Sequence, residues 1–233
     1  MKLLAIEASS LVCSAAILED EIIVAEYTVN NKTTHSQLLL PMIDEICQKS
    51  GIDISEMDAI AVSAGPGSFT GLRIGSATAK GLAGALDIPI VHVPTLEAMA
   101  YNYFDSRDII CPIMDARRGQ VYTGIYTFEN GELRVLEDGC AISIEELLGK
   151  LEQIGRYTIF AGDGIPVHRE YIENNFSVAH SFGVEGLNRQ RAAGVAALGK
   201  KLFLEGKTVS AAKHLPEYFR LSQAERERLE NNG

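Results

Sequence analysis

The first thirty residues predict three adjacent strands separated by short polar turns. Apolar runs cover Leu3–Ile6, Val12–Leu18 and Ile22–Val29, and Glu7 ends the first of them. Runs of this length that are rich in branched aliphatic residues and bounded by polar residues are typical of strands. Because the connections are long enough only for tight turns, we expect the strands to form an antiparallel meander.

A helix is predicted directly after the meander. Its apolar face recurs at a period close to 3.6 residues. The residues on that face are Leu38, Leu39, Met42, Ile43, Ile46 and Cys47. Thr34 and Gln37 form a capping-box pattern that places the start of the helix, and Gly51 suits its end. Pro41 removes a backbone donor inside the helix, so a bend is expected there.

The chain then alternates strands and helices and repeats the whole order in its second half. The first half continues with a strand at Met57–Ala64, a helix from about Thr70 to Leu86, a strand at Ile88–Val93 and a helix from Thr95 to about Phe104. The second half predicts strands at Ile109–Met114, Val121–Phe128, Leu133–Leu136 and Tyr157–Ala161, with helices from Ser143 to Ile154 and from about Arg189 to Leu204. Asp115 repeats Glu7, and the Ser143 capping box repeats that of Thr34, at nearly the same spacing.

The repeated order predicts an α/β fold of two mixed-sheet subdomains, each with flanking helices, and a cleft between them. Actin, the sugar kinases and the heat-shock ATPases share this architecture, which is also called ribonuclease-H-like or ASKHA. We expect an N-terminal subdomain over 1–100, with the C-terminal segment 207–233 returning to it, and a C-terminal subdomain over 101–206. The hinge is expected near Tyr101.

Composition narrows the class of protein. The chain has 233 residues, of which 46% are apolar, enough for a folded core. Its formal net charge of −10 argues against autonomous nucleic-acid binding, because phosphate contacts need clustered cations. No apolar run approaches the roughly 20 residues of a membrane span. Glu7 interrupts the first run too early for a signal peptide, and the four cysteines lack C-x-x-C spacing, so a reduced protein in the cytoplasm is expected.

Two stripes of small residues run along the helix predicted from Thr70 to Leu86. One comprises Gly71, Gly75 and Ala79, and the other Ala77, Gly81 and Ala85. A glycine inside a helix costs about 1 kcal/mol relative to alanine, so repeated glycine indicates a packing reason. The stripes predict close approach either to the chain's own sheet or to a helix of another subunit.

The predicted cleft holds candidate residues for phosphate or nucleotide binding. In this architecture the turn after the first strand of each half cradles phosphate, and its acid helps to place a metal. The candidates are Glu7, Ser9 and Ser10 in the first turn, Asp115 in the second, and Gly162 and Gly164 where such folds hold an adenosine. The first turn lacks glycine and lysine, whereas Arg117 and Arg118 in the second could attract an anion but also crowd the turn. Three interpretations of these residues remain open. They could belong to a vestigial binding cleft or to a small ATPase or phosphotransferase acting alone, or the acids could simply be solvated at the strand ends.

Other catalytic patterns are missing from the sequence. No two of the five histidines are three or four residues apart, so no paired metal ligands are expected on one helix face. The glycine-rich stretch Gly65–Gly75 joins a strand to a helix, as a P-loop does, but Leu72 and Arg73 stand where the Walker pattern needs Lys and Ser or Thr. No G-x-S-x-G elbow occurs.

Several motifs together resemble the TsaB (YeaZ) family. They are Leu4–Glu7 with Cys13-Ser14, Thr34–Ser36 with Leu40-Pro41, Gly65–Gly75, Met114–Arg117, Gly162–Gly164 and Leu215–Arg220. The resemblance covers the chain up to about Leu221. It implies a bacterial actin-like subunit for making N6-threonylcarbamoyladenosine at adenosine 37 of tRNAs that read ANN codons. Glu7 stands where Asp is commoner in the family, which weakens any metal or phosphate binding there.

The resemblance also implies partners. It suggests a non-catalytic, activating subunit that pairs with TsaD, a relative carrying a paired-histidine metal motif, while the ATPase TsaE joins the pair. It further implies a homodimer when alone, contact with tRNA only through the complex, no membrane, and no cofactor of its own beyond a nucleotide at the partner interface. Carried onto this chain, that interface comprises His35, Leu38, Leu39, Met42, Ile46, Gly71, Arg73, Gly75 and Ala79. A metallo-endopeptidase is a third reading, which bound zinc or iron would support.

Overall fold

Two five-stranded mixed sheets organise the chain in a computed structural model that describes residues 1–31 and 33–219. The strands of the first sheet are β1 Lys2–Glu7, β2 Val12–Glu19, β3 Ile22–Asn30, β4 Ala59–Gly65 and β5 Ile90–Pro94. Those of the second are β6 Ile109–Arg117, β7 Gln120–Glu129, β8 Glu132–Ser143, β9 Thr158–Ala161 and β10 His180–Phe182. Their orders, β3-β2-β1-β4-β5 and β10-β9-β6-β7-β8, are the same topology repeated.

The helices occur in the repeated positions. They are α1 His35–Ser50, α2 Phe69–Leu86, α3 Thr95–Ala100, α4 Ile144–Ile154, α5 Ile165–Asn175 and α6 Ala192–Leu204. In each sheet the first three strands are antiparallel neighbours, and the remaining two run parallel to the first. The predicted fold class, two actin-like mixed-sheet subdomains with flanking helices, is therefore confirmed.

Some predicted helix ends are observed and others differ. Thr34 is the N-cap of α1, but its backbone oxygen rather than its side chain accepts from Gln37 N, at 3.0 Å. At α4 the predicted cap is present, since Ser143 Oγ accepts from Glu146 N at 3.1 Å. The helix expected from Arg189 begins at Ala192, because Arg191 is extended. Gly51 ends α1 in the left-handed conformation, as predicted.

Both faces of the first sheet are buried. Leu4 and Ile6 pack with α1 and α2, whereas Leu3 and Ala5 pack with α6. Successive strand residues point to opposite faces, so burial on both sides requires the unbroken apolar run of β1. We call this sheet with α1, α2 and α6 the first lobe.

The second sheet is covered by α4 and α5 on one face and by α3 on the other. Leu147 of α4 and Ile172 of α5 pack with the first apolar cluster of this sheet, and Leu96 and Met99 of α3 pack with the other. We call the second sheet with α4 and α5 the second lobe. The first sheet is built from residues between Lys2 and Pro94 and the second from residues between Ile109 and Phe182, while α6 packs on the first sheet. The domain division at 1–100 and 101–206 stays a prediction.

The chain returns to the first sheet after α6. Val209 and Ile90 exchange two backbone hydrogen bonds of 2.9 Å, and Glu217 N donates to Ala64 O at 2.7 Å. The predicted tail from Glu225 onward lies outside the described residues. Within the described ranges, no helix is both long and apolar enough to cross a bilayer.

Candidate functional site

Acidic side chains of both lobes lie near one another where the lobes meet. Glu7 ends β1, and Asp163 follows β9 between the two candidate glycines. The two carboxyl groups are close enough to interact electrostatically, and Asp115 at the end of β6 also acts on Asp163. The structure therefore places the predicted acids Glu7 and Asp115 each within electrostatic range of Asp163. Asp163 lies inside the Gly162–Gly164 motif, but the sequence predicts no role for it.

Glu7 is a buried acid. Only 1% of it is exposed, and Ser9 N donates to its Oε1 at 2.5 Å. Burial raises the pKa of Glu7 to about 7, and the charge of Asp163 acts in the same direction, while the hydrogen bond from Ser9 N opposes the shift. A carboxyl group of this kind is a poor neighbour for a phosphate, because its ionisation would place two anions in a desolvated site.

The chain's own backbone fills the first turn. Ser68 N donates to Ser9 O at 2.6 Å. A Cβ on Gly67 would overlap Ser9 O, and one on Gly71 would overlap Ala8 O, so both glycines are needed for this close approach. The N-terminus of α2, the position at which a P-loop presents N–H groups to phosphate, therefore faces protein carbonyl groups. The glycine-rich stretch serves packing.

The two serines of the first turn differ in their contacts. Ser9 Oγ is buried and has no hydrogen-bond partner among the described residues. Ser10 Oγ accepts from Val12 N at 3.1 Å, and Ser10 O lies 2.8 Å from His35 Nε2 of α1. His35, a predicted interface residue, thus ties the start of α1 to the turn.

The second turn is open. Asp115 Oδ1 accepts from Arg117 N at 2.8 Å. Arg117, Arg118 and Gly119 follow with φ values of 63°, 57° and 70°, all left-handed. A non-glycine residue in this conformation costs roughly 1–2 kcal/mol. Both arginines are exposed, so the cationic side chains expected beside the cleft are present but point into solvent-accessible space.

The turn Gly162–Gly164, the position at which an adenosine is expected, is also hydrogen-bonded to other parts of the chain. Gly162 N donates to Asn188 O at 2.8 Å, and Gly162 O accepts from Arg189 Nη1 at 2.7 Å. Gly164 N donates to Ile113 O at 3.0 Å. The segment before α6 therefore occupies the backbone groups of this turn. Sequence reasoning missed it, because Arg189 and Asn188 belong to no recognisable motif.

Polar side chains surround Asp163. Gln190, which is 1% exposed, donates from Nε2 to Asp163 Oδ1 at 3.1 Å, while its Oε1 has no partner among the described residues. Burial raises the pKa of Asp163, and the hydrogen bond from Gln190 opposes that shift. Burial lowers the pKa of His168 on α5, so its neutral form is favoured. The described residues contain no group of three or more His, Cys, Asp or Glu placed to hold a metal.

Most residues assigned to a partner interface lie inside this chain's own fold. The buried ones are Leu39, Met42, Ile46, Gly71, Gly75 and Ala79. A Cβ on Gly75 would lie 3.2 Å from Ala8 Cβ, so the stripe Gly71–Gly75–Ala79 faces the chain's own sheet. Those six residues cannot supply an exposed contact surface. His35 and Leu38 are partly exposed and Arg73 is exposed; the interface as a whole stays a prediction.

The second small-residue stripe is exposed. Ala77, Gly81 and Ala85 line the outer face of α2, and a Cβ on Gly81 would meet nothing within 4 Å. A groove of about 520 Å³ is lined by α1, the segment 51–54 and Leu82 of α2, and its lining includes Leu40. Leu40 is 54% exposed. Small residues next to exposed apolar ones form a surface on which another helix could pack closely.

The sequence and the fold of this chain are similar to those of known proteins. The family model of TsaD, tRNA N6-adenosine threonylcarbamoyltransferase, matches residues 23–228. The tRNA threonylcarbamoyladenosine biosynthesis protein TsaB of Bacillus subtilis (strain 168) is 34% identical over 99% of both chains, and that of Escherichia coli (strain K12) is 30% identical over 94% of this chain and 95% of its own. The structure of YeaZ from Pseudomonas aeruginosa superposes with a TM-score of 0.77 at 27% identity, covering 93% of this chain and 99% of that one. The chain belongs to the TsaB (YeaZ) family of tRNA threonylcarbamoyladenosine biosynthesis proteins.

Proposed function

We propose that this chain is the non-catalytic, activating subunit that pairs with TsaD and works with TsaE in the N6-threonylcarbamoylation of adenosine 37 in tRNAs reading ANN codons. The observation that carries the proposal is the closed first turn, in which Ser9 O already accepts from Ser68 N and Glu7 is buried beside it. A phosphate entering there would have to displace backbone hydrogen bonds and meet a buried acid.

The partner surface we propose is the outer face of α2 with the adjoining part of α1. Ala77, Gly81 and Ala85 carry no side chain longer than a methyl group, so a helix of TsaD can approach the backbone of α2 closely. Leu40 and the groove beside it add apolar area. In the absence of TsaD, a second copy of the chain would cover the same face. The net charge of −10 leaves tRNA binding to the partner.

The test is a pair of glycine substitutions with TsaD and TsaE of the same organism. Gly81→Arg places a long cation on the proposed face, and Gly149→Arg makes the same change within α4; neither added Cβ meets anything within 4 Å. We expect the unsubstituted chain and Gly149→Arg to form a one-to-one complex with TsaD by light scattering and to support tRNA modification. Gly81→Arg should lose both while its circular dichroism stays native. Gly75→Leu is unsuitable, because that site is packed against the chain's own sheet.

Two results would contradict the proposal. One is a complex that survives Gly81→Arg with unchanged affinity, which would place the interface elsewhere. The other is ATP turnover by the purified chain alone that is lost in Asp115→Ala, which would favour the small ATPase or phosphotransferase.

A further inference from the structure

The segment 208–219, which we call the C-terminal strap, runs along the first lobe. Val209 pairs with Ile90 of β5, and Lys80 Nζ of α2 donates to His214 O at 3.0 Å. Glu217 N donates to Ala64 O at 2.7 Å at the end of β4. Its backbone lies so close to Gly65 that a Cβ on that glycine would overlap Glu217 O. The first lobe therefore has a shaped seat for the strap.

Tyr218 attaches the strap to α2. Its ring lies 4.6 Å from that of Phe69, centroid to centroid, and its hydroxyl accepts from Arg73 Nε at 3.3 Å. The Arg73 guanidinium carbon in turn lies 4.0 Å from the Phe69 ring centroid. These three side chains form a stack at the N-terminal end of α2, next to the face proposed for the partner.

Phe219, the next residue, attaches to the other lobe. It packs against the apolar cluster formed by α3 and the second sheet, and its ring meets that of Tyr122 edge-on at 6.2 Å. A Cβ on Gly139 of β8 would lie 3.0 Å from the Phe219 ring, so this glycine makes room for it. The second lobe therefore has its own seat for the strap.

We infer that the C-terminal strap fixes the angle between the two lobes. Tyr218 and Phe219 are anchored in different lobes, and consecutive Cα atoms are only about 3.8 Å apart, so the strap has no slack between its two anchors. Two lobes around a cleft open and close by hinge motion, and a short tie across them restricts that motion. Opening the cleft requires Phe219 to leave its seat or Tyr218 to leave α2.

Through the strap, binding of the partner could also change the angle between the lobes. A helix bound on α2 beside Arg73 would act on the stack that holds Tyr218, and through Phe219 on the second lobe. This second step rests on the proposed function, whereas the strap itself does not.

The angle between the lobes can be measured with two nitroxide labels in the full chain. Lys49→Cys on α1 and Asn174→Cys on α5 are exposed sites, one in each lobe. Cys47→Ser and Cys140→Ser remove the two partly exposed native thiols. In this background we expect one narrow distribution of distances between the labels. Phe219→Ala should broaden it and move it to longer distances, and Phe219→Leu should restore most of the narrow distribution.

Two further variants separate the strap from simple loss of core packing. Insertion of three glycines between Tyr218 and Phe219 keeps both anchors but adds slack, so it should broaden the distribution as Phe219→Ala does. Phe182→Ala removes a comparable, partly buried ring from the second lobe, 5.9 Å from Phe160, and should leave the distribution narrow. A narrow, unshifted distribution in the folded insertion variant would overturn the inference.

Addition of TsaD tests the coupling between partner binding at α2 and the angle between the lobes. We expect TsaD to shift the distribution of the labelled chain and to have no such effect on the insertion variant, with binding of both followed by light scattering. Equal shifts in the two would overturn the coupling. Failure of TsaD to bind would count against the proposed function and the coupling, while the distributions of the chain alone would still decide the strap.

Discussion

The turns that follow β1 and β6 occupy the same place in the repeat but differ in their exposure to solvent. The first is buried from Ala8 to Ser10, and its carbonyl groups meet the glycine-rich start of α2. The second is exposed and carries three left-handed residues. The difference comes from the loop after the fourth strand of each lobe. In the first lobe that loop reaches the turn through Ser68 N, whereas in the second Gly164 N bonds instead to Ile113 O, within β6 itself. The same topology thus leaves one turn closed and one open.

The largest effect is expected from forcing the closed turn apart. Gly71→Ala would put a methyl group onto Ala8 O, a backbone atom that cannot move aside alone. Gly119→Ala, in the open turn, adds a methyl group with nothing within 4 Å but at a φ of +70°. In urea unfolding we expect the first to lower the free energy of unfolding by about 3 kcal/mol. The second should lower it by about 1 kcal/mol. Equal losses would mean that the closed turn is not tightly packed.

Glu7 in the closed turn gives a second contrast between the two turns, in how the free energy of unfolding depends on pH. The folded-state pKa of Glu7 is raised to about 7 from 4.5, so between these values the folded chain holds a proton that the unfolded chain releases. The free energy of unfolding should therefore fall as pH rises from about 4.5 to 7, by up to about 3 kcal/mol from this group. Glu7→Gln keeps an acceptor for Ser9 N and should remove that loss.

Asp115→Asn makes the same chemical change at the repeated position in the open turn and serves as the control. The measurement is urea unfolding at a series of pH values from 4.5 to 8 for the unsubstituted chain and both variants. A Glu7→Gln curve parallel to that of the unsubstituted chain would count against a proton held by Glu7.

Much of the fold could be predicted from the sequence, because it depends on local signals. Apolar periodicity and the repeat of Glu7 at Asp115 were enough for two like sheets. The site could be predicted only in part. The positions of Glu7, Asp115 and Gly162 follow from the fold. What fills the space around them comes from residues distant in the chain, such as Glu217 against Gly65 or Arg189 on Gly162 O. The small-residue stripes show the same limit: their spacing indicates close packing, but only burial separates the inner stripe from the outer one.

The smallest effect concerns the backbone strain of the open turn, and its sign is the test. Arg118 holds a φ of 57° with its side chain exposed, so Arg118→Gly removes a cost of roughly 1–2 kcal/mol in the folded state. Glycine also gives the unfolded chain more conformational freedom, which lowers the free energy of unfolding by roughly 0.5–1 kcal/mol. We expect a net gain of about 0.5 kcal/mol in the free energy of unfolding. Leu11→Gly, at a 63% exposed residue in the closed turn without a positive φ, should show only the second effect and lose about 1 kcal/mol. Opposite signs in urea unfolding would place the strain in the second turn alone. A loss in both variants would mean that the Arg118 side chain stabilises its turn by more than the left-handed backbone costs.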